Sequence, residues 1–337
     1  MKHITIKDIA RESGFSIASV SRALNGMQGI SPKNREKILE VCKKLNYTPN
    51  GLARSLVKRS TRMLGIIVPD IMSPFYSELM VKASDAVHKR GYQVLLCNSF
   101  REVKAEEEYL RLMVENQVEG ILIFPVGKKS EANIQKYMRN IPIISLNETT
   151  EKSGIPYVCA DEERAGRIAT EHLIHNGCRN LMFVGFKPDR IAHRYRVNSF
   201  LKTTRERGIL ARVYESTTDF RTSFERGYDH FRQFLLSGEE MPDGILAASD
   251  DTANGIIKAC KEYGKKIPED FSLIGFDNIS MKLSCTELTT VAVSHDIQIE
   301  IAVNLLLEII RESHLVDHQY RIKLEPKLVE RKSCKRV

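Results

Sequence analysis

Downstream of residue 62 the chain alternates short apolar runs with amphipathic helices, and then does so again. Residues 64–68, 93–97, 120–124 and 142–146 read as strands, with helices opening at Pro74, Lys104 and Ser130; residues 157–159 add a further extended piece. After a helix over 161–176 the rhythm restarts, with strands at 180–184, 211–216, 244–248 and 272–276 and helices at 196–207, 223–236 and from Asp251. Late strands at 288–293 and 321–324 flank an amphipathic helix over 296–311. Strand–helix–strand units close into parallel sheets with right-handed crossovers. The expected core is therefore α/β: two doubly wound subdomains joined by crossing connections, with a ligand cleft between them beyond the carboxyl ends of the strands.

Residues 5–25, TIKDIARESGFSIASVSRALN, follow a different plan. Thr5 caps a short helix, with Asp8 three residues on to complete a capping box. Ile6, Ile9 and Ala10 form one apolar stripe. Gly14 stands where that helix must stop, since glycine takes a left-handed backbone at little cost. Ser16 caps a second helix whose inner stripe is Val20, Ala23 and Leu24, so Ile17, Ala18, Ser21, Arg22 and Asn25 face outward. Such a pair is a helix-turn-helix, whose second helix enters the major groove of DNA and reads bases mainly with its N-terminal residues. Ser31 and Pro32 open a third helix, serine as cap and proline at the first helical position. Its inner residues Ile38, Val41, Cys42 and Leu45 join Phe15 and Ile30 in a small all-α core.

Charge separates the two regions. Residues 1–62 hold 13 Lys and Arg against 4 acidic residues, a net of +9, while the remainder nets −1. A basic block on a neutral globule is the electrostatic footprint of phosphate binding. Thr48 and Pro49 break the third helix, residues 51–56 suit one further helical turn, and 58–62 read as a polar linker. The expected domains are a helix-turn-helix headpiece over 1–48, a short helix and linker over 49–62, and an α/β core with a ligand cleft over 63–337.

The seven cysteines are scattered, odd in number and without a C-x-x-C pair, which points to reduced thiols in the cytoplasm. Lys7, Asp8, Arg11 and Glu12 interrupt any apolar run at the start, so no signal peptide is expected. No stretch approaches the ~20 apolar residues of a membrane span. The chain shows no G-x-S-x-G elbow, Walker A loop, G-x-G-x-x-G after a strand, or H-E-x-x-H. The nine histidines are dispersed; His172 and His175 share a helix at surface spacing. No enzyme activity, cofactor or metal is expected.

The motifs TIKDIA and SVSRALNG in the headpiece, NYTPNGLARSL at the hinge and LGIIVPDIMSPFYSEL at the first strand are followed by EGILIFP, SLIGFDN, ELTTV and LVERKS. In these, over nearly its whole length, the chain resembles the lactose/galactose repressor (LacI/GalR) family of bacterial transcription regulators. The core motifs alone are shared with sugar-binding proteins of the periplasm, which lack the headpiece. The resemblance implies periplasmic-binding-protein-like subdomains and a homodimer that sets two headpieces on a pseudopalindromic operator of double-stranded DNA. It also implies a sugar-like effector that tunes a repressor's operator affinity. The alternative is a periplasmic-type solute-binding protein without DNA function.

The same resemblance implies DNA contacts from Thr5, Ser16, Ile17, Ala18, Ser21, Arg22 and Asn25, and from Asn50, Ala53 and Leu56 at the hinge. Arg22 suits a bidentate contact to guanine O6 and N7, and Ile17 and Ala18 suit a thymine methyl. Ser21 and Asn25 suit positioning on the backbone. A pair of Leu56 side chains, one per subunit, can wedge a minor-groove step.

Residues expected to face the cleft lie just after strands: Asp70, Ser73, Phe75, Tyr76, Asn98, Phe124 and Asn147 in the first half, Arg194, Arg196, Phe220, Ser249, Asp250 and Asp277 in the second. Carboxylates and amides serve several hydroxyls, while an aromatic ring covers an apolar sugar face. Arg196 and Asp277 best match the family's effector positions, and Arg196 is expected to pair with a ligand carboxylate or vicinal hydroxyls. Ser249 stands where the family usually has Asn, and Asn147 where Asp is common. With no Trp in the chain, Phe220 is the expected stacking residue. One carboxylate fewer beside two arginines favours an acidic or phosphorylated sugar.

Overall fold

The structure, a computed structural model, describes residues 4–47, 60–188, 190–214, 222–279, 287–312 and 320–335. Four expected site residues, Asn50, Ala53, Leu56 and Phe220, lie outside the described residues. The chain divides into two units, Met1–Thr61 and Arg62–Val337.

In the first unit, α1 (Ile6–Ser13), α2 (Ile17–Leu24) and α3 (Pro32–Lys44) pack around buried Ile9, Val20, Ala23, Ile38 and Cys42. Phe15, Ile30, Val41 and Leu45 close that core from its edges. The Asp8 carboxylate accepts from the Thr5 N–H at 2.9 Å and its hydroxyl at 2.7 Å, which ties down the start of α1. Gly14 ends α1 at φ 71°, a left-handed turn that glycine takes without a Cβ penalty.

The second unit opens with β1 (Met63–Val68), α4 (Pro74–Lys89), β2 (Gln93–Asn98), α5 (Val103–Glu115), β3 (Gly120–Ile123), α6 (Ser130–Tyr137), β4 (Ile143–Ser145) and β5 (Tyr157–Ala160). Then come α7 (Glu162–His175), β6 (Asn180–Val184), α8 (Ile191–Glu206), β7 (Leu210–Tyr214), α9 (Ser223–Ser237), β8 (Gly244–Ala247), α10 (Asp250–Glu262), β9 (Ser272–Phe276) and β10 (Thr289–Ala292). The chain closes with α11 (His295–Arg311), β11 (Arg321–Leu324) and β12 (Lys327–Val329).

Two six-stranded sheets result, in the orders β11-β5-β4-β3-β1-β2 and β12-β10-β9-β8-β6-β7. The β10–β12 pair runs antiparallel; the other neighbours run parallel. Central strands such as β1 and β6 are buried almost throughout, as sheets covered by helices on both faces demand. In each sheet the first strand to form sits between the second and third, so both sheets have the switch point at which doubly wound folds bind ligands.

The chain passes between the sheets three times. It leaves the first after β5 and returns after β10, where Ile299, Val303 and Leu306 of α11 pack with Leu79, Leu122 and Val158 of the first subdomain. It crosses again between β11 and β12. In the second subdomain α9 and α10 meet backbone to backbone. A Cβ at Gly227 would strike the Thr252 carbonyl, and one at Gly255 the Phe224 carbonyl. That close approach brings the starts of both helices to the same end of the sheet.

Two expectations about elements need correction. Helix α8 begins at Ile191, five residues ahead of the expected Arg196, because its buried face carries His193 and Arg196 and the apolar period is masked there. Strand β12 was not expected; three residues following Pro326 are too short to show a period.

Candidate DNA-reading face and ligand cleft

Helix α2 presents Val20 and Ala23 to the headpiece core, and the opposite side is left to solvent. Ile17 is 46% exposed, and Ala18 and Arg22 are exposed beside it; Ser21 is half-buried. Spacings of three and four put positions 17, 18, 21, 22 and 25 on one face. The end residues are partly committed to the helix itself. The Ser16 hydroxyl accepts from the Ser19 N–H at 3.1 Å, and the Asn25 amide donates to the Ser21 carbonyl at 2.9 Å. Thr5 is engaged with Asp8. What projects freely is an apolar pair followed by a guanidinium.

In the second unit a cavity of about 150 Å³ opens between the carboxyl ends of the two sheets. The first subdomain supplies Ser73, Phe75, Tyr76 and Asn147. Phe75 and Tyr76 meet edge to face at 5.0 Å, and both lean on Phe124. Phe124 is itself buried and lines a smaller inner recess beside Asn147 and Gln298. The second subdomain supplies Arg196, Ser249 and Asp277 among the expected residues. The Ser249 hydroxyl caps α10 by accepting from the Thr252 N–H at 3.2 Å.

Arg196 lines the cleft but does not present a bare charge to it, which weighs against a ligand carboxylate as its partner and leaves vicinal hydroxyls as the other expected partner. Its Nε donates to Glu162 at 2.6 Å, its Nη2 to Glu162 and Asp277 at 3.1 Å each, and its Nη1 to the Ala248 carbonyl at 2.8 Å. The guanidinium also lies 4.4 Å from the centre of the Phe276 ring. Burial pushes the Glu162 carboxyl up, and the Arg196 charge opposes that push. Asp277 holds a backbone φ of 101°, outside the range that L residues usually occupy. The three side chains form one knot joining α7, α8 and the end of β9.

Four other expected residues do not line the cavity. Asp250 is buried, and its carboxylate accepts from the Thr290 hydroxyl at 2.7 Å and the Ile279 N–H at 2.9 Å. Burial, then the Asp277 charge, push its carboxyl up to about 8. It therefore anchors the loop after β9. Asn98 accepts from the Phe100 N–H and shapes the turn after β2. Asp70 accepts from the Met72 N–H at 3.0 Å and pairs with Arg101 at 2.8 Å. Arg194 falls on a part of α8 that the early helix start turns away from the cavity.

Their places are taken by residues that were not expected: Arg101, Glu162, Arg190, His193, Ser223 and Asp251. His193 accepts from the Lys187 N–H at 3.3 Å; burial, then the surrounding arginines, drive its pKa well below the ordinary value and keep the ring neutral. Asp251 accepts from the Phe224 N–H at 3.0 Å. The signal for Arg190 and His193 was the start of α8 at Ile191, with Arg190 as its cap, had the polar buried face been read as helical. Among the described residues no group of His, Cys, Asp or Glu is placed to hold a metal ion, and no helix is long and apolar enough to cross a membrane.

Known proteins match both units. Residues 5–50 match the model for bacterial regulatory proteins of the lacI family, and residues 170–334 match that of a periplasmic binding protein-like domain. The chain is 32% identical to the HTH-type transcriptional regulator RegA of Clostridium saccharobutylicum over 98% of both chains. It is 31% identical to the ribose operon repressor of Halalkalibacterium halodurans, over 98% of this chain and 97% of that one. Its fold superposes on the Lac repressor bound to ONPG with a TM-score of 0.85 at 24% identity, covering 98% of this chain and all of the other. A reading headpiece ahead of a two-subdomain cleft, matched end to end by such relatives, leaves one assignment: the chain belongs to the LacI family of bacterial regulatory proteins.

Proposed function

We propose that the chain is a sequence-specific DNA-binding repressor whose affinity for a pseudopalindromic operator is set by a small polar ligand in the cleft. The observation that carries this reading is the exposed face of α2, where Ile17, Ala18 and Arg22 stand on a helix held rigidly by its own three-helix core. An apolar pair and a guanidinium suit a thymine methyl and a guanine edge. The repressor names of the full-length relatives agree with it. Asn50, Ala53 and Leu56 remain the proposed hinge contacts. Ser73, Phe75, Tyr76, Asn147, Ser249 and Asp277 are the proposed ligand contacts from the expected set.

A homodimer follows from the need for two headpieces on a two-fold site. Met72 is 81%, Val81 72% and Phe100 67% exposed; large apolar side chains left in solvent near the start of α4 suit a subunit contact. The ligand acts by closing the subdomains about the three crossings, and it shifts the DNA-binding state by its differential affinity for the open and closed forms. No catalytic step belongs to this reading, and the setting is the cytoplasm, beside the chromosome.

The test is a mobility shift of the full chain on palindromic duplexes selected from a random pool. One preferred sequence is expected, with affinity falling by roughly 0.9 log units per log unit of salt for each phosphate contacted. Arg22→Ala should remove about 1–3 kcal/mol of discrimination at one base pair per half-site. Intact discrimination would remove Arg22 as a reader. Indifference to every duplex, with or without metabolites, would sink the function.

A further inference from the structure

We infer that the cleft contains a subsite for an anionic group, phosphate or carboxylate, centred on Arg190, and that the ligand is a single-ring sugar or polyol bearing that group. The inference rests on reading the cleft as the effector site.

Arg190 is the residue that caps α8, in an extended conformation, and it lines the cavity. Its Nη1 donates to the Ser223 hydroxyl at 3.2 Å, while its Nη2 is buried with no hydrogen-bond partner. Several of the other cleft charges already have partners. Glu162 and Asp277 hold Arg196, Asp70 holds Arg101, and Asp251 accepts from a backbone N–H. Among the described residues no carboxylate stands within ion-pair distance of Arg190. Burial, then the positive charge of Arg101, push its pKa down to about 9. A guanidinium keeps its proton in a protein, so the buried Nη2 remains a charged donor without an acceptor.

The backbone adds to the same field. Helix α8 starts at Ile191, and α9 starts at Ser223, whose hydroxyl is the partner of Arg190. Helix N-termini carry partial positive charge and favour anions. A phosphate or carboxylate here would give Nη2 an acceptor and supply the missing counter-charge through short, charge-assisted bonds. Across the cavity stand the Phe75 and Tyr76 rings and the Asn147 amide, which suit a sugar face and its hydroxyls. A cavity of about 150 Å³ lies below the range of about 300–1,000 Å³ for drug-sized ligands, so one ring with one anionic arm is the fitting size.

The test titrates the full-length protein, by calorimetry and thermal shift at constant ionic strength, with inorganic phosphate and with matched pairs: ribose and ribose 5-phosphate, glucose and glucose 6-phosphate, glucose and gluconate. At least one charged member should bind its site about tenfold or more tighter than its neutral parent, the size of a charge-assisted hydrogen bond. Arg190→Gln should erase that advantage and leave the parent's affinity as it was. Arg190→Lys, which keeps the charge but not the fork, should retain a reduced advantage and serves if the Gln variant does not fold. Arg194→Gln, outside the cavity, should behave as wild type. The inference is overturned if neutral parents bind as well as their charged partners, if Arg190→Gln keeps the preference, or if nothing in the panel binds. Operator binding measured on the same samples separates the two readings: protein that shifts DNA but ignores anions rejects the subsite alone, whereas protein that ignores DNA rejects the regulator.

Discussion

The reading face of α2 and the wall of the cleft are built on opposite plans. On α2 the cap, the buried stripe and the exposed residues all lie within ten positions of one another, and each side chain's place follows from helical spacing alone. In the cleft, Arg196 joins Glu162 34 residues away and Asp277 81 residues away. The headpiece leaves its guanidinium in water for a partner to meet. The cleft pairs most of its charges with one another, so the wall is a scaffold and few groups remain for a ligand. Charge count therefore says much about the first surface and little about the second.

The comparison predicts opposite responses to losing an arginine. Arg196→Met should leave Glu162 and Asp277 buried beside each other without a counter-charge. Removing one partner from a buried ion pair costs about 3–5 kcal/mol. The loss should appear in the urea unfolding of the core and grow from pH 5 to pH 8, because the Glu162 carboxyl, pushed up by burial and no longer opposed by the Arg196 charge, contributes stability that is lost as pH rises. Adding Glu162→Gln should recover part of it. Arg22→Ala, on the exposed face, should change stability by no more than about 0.5 kcal/mol. A stable Arg196→Met protein would mean that the knot does not hold the wall.

The same contrast explains what could be read from the sequence. The three headpiece helices, the two doubly wound halves implied by two alternating series, and cleft residues such as Ser73, Phe75 and Asp277 follow from local pattern. Ser73 opens α4 with Pro74 behind it, and Asp277 directly follows β9, so both are fixed by an element end. Arg194 was expected in the cleft and Arg190 was not, because the buried face of α8 is polar, and periodicity in hydrophobicity cannot see a helix that buries His193 and Arg196. Asp250 and Asp251 differ by one position at the start of α10; which of them turns to the cavity depends on Thr290 and Ile279, far along the chain. Burial of a charge is set by its partners, and partners from other elements leave no local trace.

A smaller effect tests whether the inward acid is as isolated as its surroundings imply. The Asp250 carboxyl is raised from 3.8 to about 8, chiefly by burial. Its folded pKa lies above its unfolded one, so its contribution is fully present below about pH 4 and is lost as pH rises through about 8, at a slope of up to about 1.4 kcal/mol per pH unit. Asp250→Asn keeps the shape: its oxygen can accept from the Ile279 N–H, and its N–H can donate to a rotated Thr290 hydroxyl. That variant should flatten the decline in core stability between pH 5 and pH 7. An unchanged slope would move the titration to Glu106, which is buried and raised to about 7 beneath the Val126 N–H.

A further, local effect belongs to the headpiece. Ser16→Ala removes the hydroxyl that accepts from the Ser19 N–H at the start of α2. Losing such a cap costs about 1 kcal/mol. The first turn it secures carries Ile17 and Ala18, so operator affinity should fall with the headpiece's stability. Hydrogen exchange should quicken across α1 to α3 and stay unchanged in the strands of both sheets. Because every group involved lies within three residues of the substitution, nothing in the core has reason to respond; slowed or quickened exchange in β1 or β6 would show that the two plans of construction are energetically joined.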